Sequence, residues 1–241
     1  MAEATIPDAA LLDRLGSADR GEQRLACDRL AERLADSPEL RDALLTRLRD
    51  GSRLERFAAA FVLFATERPT LRLLPALLDA LEIADGDIRW QATHMLTTLG
   101  RMQAEVLPVV LHEARSAQNP VRRRMALYAL RELAPERPET AQTCQAALDD
   151  PTDEVRRAAL TCFGKLSGAA RPALDRVLAI ARGDPDPRMR GLAAVALSHL
   201  VTLHPEARPA VSEAIRELSR SADPGLARAA GVAAARLEAS S

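Results

Sequence analysis

Apolar residues along this chain return at i, i+4, i+7, i+8 and i+11 within stretches separated by polar turns, the spacing of helices with one buried face. The clearest stretches are LERFAAAFVLFA from Leu54, IRWQATHMLTTL from Ile88, RRRMALYALREL from Arg122, VRRAALTCFGKL from Val155, MRGLAAVALSHL from Met189 and LARAAGVAAARL from Leu226. Their openings advance by about 34 residues, so the six stretches are copies of one unit. Self-similarity at that spacing predicts a solenoid, in which each unit buries its apolar face against its neighbours.

Each unit divides into two helices where Pro, Gly and Asp accumulate. First helices are expected at about 7–15, 38–49, 70–84, 104–117, 138–149, 171–182 and 206–220. Second helices follow at about 21–35, 53–66, 87–100, 121–134, 153–167, 187–202 and 225–238, which makes seven antiparallel pairs. Asn119-Pro120, Asp150-Pro151, Asp184-Pro185, Asp186-Pro187 and Asp223-Pro224 mark the turns within pairs. There an Asx side chain can cap the next helix and Pro fits its first turn. No linker interrupts the array. The expected organisation is one body over 1–241, with a capping pair at 1–36, central repeats at 37–221 and a last helix at 222–241.

Composition keeps this all-α picture and narrows it. Hydrophobic residues make up 47% and charged residues 28%, enough to bury a large core, while the aromatic share of 2% leaves Ala and Leu to fill it and gives strands little support. The formal charge of −1 predicts neither a nucleic-acid protein nor a membrane-surface protein. Residues 1–120 hold 15 basic and 19 acidic groups and residues 121–241 hold 18 and 15, a mild asymmetry. Cys27, Cys144 and Cys162 lack metal-type spacing and fall in helices, which reads as three buried thiols. The opening MAEATIPDAALLDRL carries acids where a secretory leader needs positive charge, and no run approaches 18 apolar residues, so a cytoplasmic protein is expected.

The sequence DPTDEVRRAALTCFGKL gathers the traits of a unit: an Asp-rich turn, an apolar residue followed by Arg, Ala four residues after the apolar one, and Leu near the end. This pattern resembles the HEAT repeat, and especially the short bacterial form named after phycobilin lyases. The resemblance covers the chain from about residue 20. It implies a right-handed superhelix with first helices on the convex side and second helices lining the concave side. It implies no particular activity.

Two columns of polar residues run through the units. Arg89, Arg123, Arg156 and Arg190 directly follow the opening position, with Asp87, Asp153 and Asp186 close before it, and are expected to form structural contacts within and between units. Positions two, six and ten after the opening point away from the core by the helical period. In the first four of the six stretches they bring Arg56, Trp90, Arg124 and Arg157; then Ala60, His94, Tyr128 and Thr161; then Phe64, Thr98, Glu132 and Lys165. The only Trp and the only Tyr fall among them. Arg56, Trp90, His94, Arg124, Tyr128, Arg157, Thr161 and Lys165 are the candidate partner-binding residues, since aromatic and Arg anchors dominate protein interfaces. The same residues would also suit nucleic-acid backbone and base stacking.

Catalytic patterns are missing. No phosphate-binding glycine loop or nucleophile elbow occurs, and the His residues at 94, 112, 199 and 204 are scattered. Deoxyhypusine hydroxylase is similar in its repeats, but the one His-Glu pair here is His112-Glu113, in a first helix. HEAT-like alkylpurine DNA glycosylases are similar in using aromatics, Arg and an acid on the concave surface; His94 stands one turn after Trp90 where a carboxylate would be needed, and Glu132 is the only nearby acid. The expectation is a non-catalytic scaffold with no cofactor and no metal, binding a protein or peptide partner, with nucleic acid as the alternative. At the ends, Glu22, Gln23, Arg24, Asp28, Arg29, Glu32 and Arg33 give the first pair a polar capping face. The last helix exposes Ala and Val, from which weak self-association through 225–238 is expected.

Overall fold

The structure, a computed structural model, describes residues 6–167 and 171–239. Among the described residues there are fourteen α-helices and no strand: α1 Asp8–Arg14, α2 Arg20–Arg33, α3 Pro38–Asp50, α4 Arg53–Thr66, α5 Leu74–Ala80, α6 Gly86–Met102, α7 Val106–Ser116, α8 Pro120–Leu133, α9 Pro138–Ala146, α10 Asp153–Phe163, α11 Arg171–Gly183, α12 Pro187–Leu203, α13 Arg208–Ser219 and α14 Pro224–Ala239. These are the seven expected pairs. The main differences are at ends. α5 begins at Leu74, after a 3₁₀ turn at Leu71–Leu73, and α10 stops at Phe163, before Gly164.

Contacts gather into two compact units, residues 1–106 and 107–241. In the first, α1 packs on α2, α3 on α4 and α5 on α6, while α2 lies against α4. In the second, α8, α10, α12 and α14 pack side by side as a layer of second helices, and α9, α11 and α13 form the layer of first helices behind them. Leu and Ala fill the space between layers, as in Leu127, Leu160, Ala193 and Leu197, each 0 to 1% exposed. Small residues let backbones approach: a Cβ built on Gly191 of α12 would lie 3.0 Å from the Ala229 Cβ of α14.

Helix starts follow the cap chemistry. The side chains of Asp85, Asn119 and Asp186 accept from backbone amides at the starts of α6, α8 and α12, and Asp223 accepts from the Leu226 amide at 2.8 Å. Ser52 and Glu55 form a reciprocal capping box at α4, and the Ser52 amide and hydroxyl hold the Glu55 carboxyl below the usual glutamate range. Asp150 is the exception. It accepts from the Thr152 amide, and Thr152 is the residue that precedes α10.

These caps set the repeat frame. Ile88, Arg122, Val155, Met189 and Leu226 each lie three residues after the cap position, at 85, 119, 152, 186 and 223. For α4, capped by Ser52, the equivalent residue is Glu55 and not Leu54. Burial agrees: Ala58, Ala59, Ala60, Val62 and Leu63 are inside in α4, matching Met125, Ala126, Leu127, Ala129 and Leu130 in α8. The expected frame was therefore one residue early in this unit, because Leu54 looks like an apolar opening but sits half-exposed at the second helical position.

Candidate functional site

The corrected frame moves Arg56 into the column of arginines, Arg89, Arg123, Arg156 and Arg190, that follow the openings before Leu226. That column does structural work at the back of α6, α8 and α10. Arg89 donates to the carbonyls of Ile83 and Ala84 at 2.6 and 2.7 Å, Arg123 to those of Ala117 and Gln118, and Arg156 to that of Asp150. Each guanidinium thus satisfies the carbonyls left over where the preceding first helix ends. Arg123 also grips Asp150 of the following unit with two bonds of 2.8 and 2.9 Å. Burial alone would push the Asp150 carboxyl up; the bonds from Arg123 and Thr152 outweigh it and hold the carboxyl below the ordinary aspartate range. Arg190 departs from the pattern, its Nε being buried without a partner among the described residues.

Arg56 pairs with Asp79 of α5 at 2.7 Å and lies beside Leu48 and Arg49 of α3. It faces the first helices, so the expectation that it lines the second-helix surface is corrected. Ala60, expected on that surface, is 0% exposed for the same reason, and Gly191 is buried against α14. The residues that α4 does turn toward the α2 side are Phe57 and Phe61, ring centroids 6.5 Å apart, which line a pocket of about 340 Å³ with Arg24 of α2 and Gln91 of α6. On α6 itself, Trp90 is 51% exposed and His94 is exposed one turn further on.

The residues expected from the next two stretches, Arg124, Tyr128, Arg157, Thr161 and Lys165, come together within residues 107–241 on α8, α10 and the turn after α10. Tyr128 is their centre. Burial and the neighbouring Cys162 push its hydroxyl up, and Arg124, Arg131 and Arg157 act in the opposite direction. Arg131, which the sequence pattern did not single out, lies over the Tyr128 ring at 5.5 Å from its centroid. Lys165 bonds Glu132 across the two helices, and Arg131 reaches the same carboxylate at 3.0 Å. The Lys165 bond outweighs burial, which acts the other way, and with the Arg131 charge adding to it holds Glu132 below the usual glutamate range. Arg157 pairs with Glu154 at 3.3 Å, and the Thr161 hydroxyl is turned back onto the Arg157 carbonyl at 2.8 Å.

Arg157 has a second role. It lines a groove of about 620 Å³ that continues across α12 and α14, where Leu192, Val195 and Ala229 supply an apolar wall. Neither Leu192 nor Val195 was among the candidates. Both are only half-buried; Val195 stands six residues after the opening Met189, a position that the helical period turns away from the core, while Leu192, three after it, falls outside both sets of positions.

Other chemistry is sparse. Cys27, Cys144 and Cys162 are free and buried, as expected. Burial pushes the Cys27 thiol up to about 12, and Cys144 is pushed well up by its hydrogen bond with Cys162 and by burial. Among the described residues no three His, Cys, Asp or Glu side chains gather in a metal-holding group, and no helix is long and apolar enough to cross a membrane.

The family model for HEAT repeats matches residues 42–131 and 138–236. Among solved structures, a HEAT-like repeats protein from the archaeon Thermococcus onnurineus NA1 aligns over 99% of both chains at 14% identity with a TM-score of 0.55. Kap95p, whose binding induces the switch loops of RanGDP to adopt the GTP-bound conformation, aligns over 94% of this chain and 33% of its own at 18% identity, TM-score 0.58. An engineered protein aligns over 96% and 68% at 19% identity, TM-score 0.51. These likenesses are of fold. No curated protein sequence matches the chain.

Proposed function

The chain belongs to the HEAT-repeat family, and from that premise we propose that it is a non-catalytic scaffold whose second-helix face in residues 107–241 binds a protein or peptide partner. The observation that carries this reading is the position of Arg157, which belongs at once to the Tyr128 cluster and to the apolar groove along α12 and α14. A polypeptide can use both parts. An acidic side chain meets Arg124, whose Nε is buried without a partner among the described residues, and an apolar side chain enters beside Leu192 and Val195. An aromatic and arginine centre flanked by an apolar slot is the usual make-up of an interface hot spot. Kap95p engages a protein, RanGDP, with the same fold. Trp90 and His94 extend the reading to residues 1–106 as further contact residues.

Nucleic acid is the weaker reading because phosphate recognition needs uncompensated charge. Here Glu132 accepts from both Lys165 and Arg131, and Glu154 from Arg157. The test is affinity purification from nuclease-treated host lysate, comparing wild type with a Tyr128→Ala, Arg157→Ala variant whose helicity is unchanged. A protein held by wild type and lost from the variant supports the scaffold reading. Nucleic acid recovered alone from untreated lysate, or a partner held equally by the variant, overturns it.

A further inference from the structure

The first-helix side of residues 1–106 carries a groove that the reading above does not use. It runs between α3 and the segment formed by the Leu71–Leu73 turn and α5. Two adjoining cavities, of about 330 and 470 Å³, share Leu45 and Arg72 and so form one channel. Leu48, Leu73 and Pro75 make its floor and walls, and α3 gives it a length of about 20 Å. Leu71, in the same turn, is 36% exposed.

Charge decides what fits. Arg41, Arg49, Arg56, Arg68 and Arg72 line the channel against a single carboxylate, that of Glu67. Three of these arginines are already matched: Arg41 by Glu67, Arg49 by Asp50 and Arg56 by Asp79. Arg68 and Arg72 are exposed, and neither has an ion-pair partner among the described residues. The channel is therefore an apolar trough with an unmatched positive rim. A basic segment would be repelled. A nucleic acid would meet the arginines and leave the leucines uncovered. We propose that this channel is a docking site for an acidic amphipathic helix, about four turns long, whose apolar stripe lies along Leu45 and Leu48 and whose flanking carboxylates meet Arg68 and Arg72.

The test uses the full chain and a fluorescein-labelled helical peptide of about 14 residues, with Leu at i, i+3, i+4 and i+7 and Glu at the flanks. Its control carries Lys in place of every Glu. By fluorescence anisotropy the acidic peptide is expected to bind at least about tenfold more tightly than the basic one and to weaken with added salt. Arg68→Gln with Arg72→Gln should reduce its affinity about tenfold, and Leu48→Gln should do so without removing charge. Tyr128→Ala should leave it unchanged, which separates this site from the second-helix face. Failure of the acidic peptide to bind, equal binding of the two peptides, or unchanged affinity in the double arginine variant would overturn the proposal. So would displacement of the peptide by a single-stranded oligonucleotide that binds the same arginines more tightly.

Discussion

Arg123 explains why an arginine recurs one residue after five of the six openings, Leu226 alone being followed by Ala227. Its guanidinium spends one nitrogen on the carbonyls ending the preceding helix and two on Asp150 of the next unit, so one side chain ties three segments. The pair is nearly buried, 13% and 10% exposed. Asp150→Asn keeps the shape and removes the charge, and should cost about 1–3 kcal/mol of stability at neutral pH. Because the folded Asp150 carboxyl titrates below its ordinary value, its contribution is complete above about pH 4 and disappears as pH falls through the folded value. Urea midpoints of wild type and Asp150→Asn should therefore differ at pH 7 and converge toward pH 3; a gap that persists in acid would refute the ionic origin. Thr140 presents the opposite case. Its hydroxyl is fully buried and unpartnered among the described residues, so Thr140→Val should be neutral or stabilising by about 1 kcal/mol. A clear loss of thermal stability would show that the hydroxyl has a partner.

Among the elements, α12 and α14 show how one residue type serves two ends. Gly191 lets α12 approach α14 to a separation that a Cβ would spoil, so Gly191→Ala should lower stability by about 1–3 kcal/mol through crowding against Ala229. Gly231 of α14 has open space where its Cβ would lie and is helical, so Gly231→Ala should raise stability by about 0.5–1 kcal/mol. Thermal unfolding of the two variants should move in opposite directions; the same direction for both would contradict the packing. Gly231 stands at the position that Leu127 and Leu160 fill inside α8 and α10, and beside it Val232 is 46% exposed. That surface is where the expected self-association would act. Val232→Lys should abolish any concentration-dependent dimer seen by sedimentation while leaving the monomer folded, and a dimer that survives it would place the contact elsewhere. At the other end, Gln23 is not part of a solvated cap: it is 2% exposed and donates to the Leu15 carbonyl at 2.8 Å.

For the molecule as a whole, the pairing of helices was legible because the repeat supplies six readings of one pattern, and caps such as Asp85 and Asn119 mark where each second helix begins. The Ser52–Glu55 capping box was equally visible and would have corrected the frame at α4; the apolar Leu54 outweighed it, and Arg56 and Ala60 were misplaced as a result. The site was legible only where spacing sets it. Tyr128 and Arg157 follow from helical period, whereas the pairing of Lys165 with Glu132 and the groove beside Val195 depend on how neighbouring helices slide against each other, which no single helix encodes. The central claim is that the second-helix layer of residues 107–241 is the partner-binding surface. It is tested most directly by placing a photo-cross-linking amino acid at Val195, in the groove, or at Glu213, which pairs with Arg182 on the first-helix layer, and irradiating each in cells. A discrete protein adduct from position 195, lost when Tyr128→Ala and Arg157→Ala are added and not formed from position 213, is the predicted result; an adduct from 213 alone, or one from 195 that ignores those two substitutions, would contradict the account.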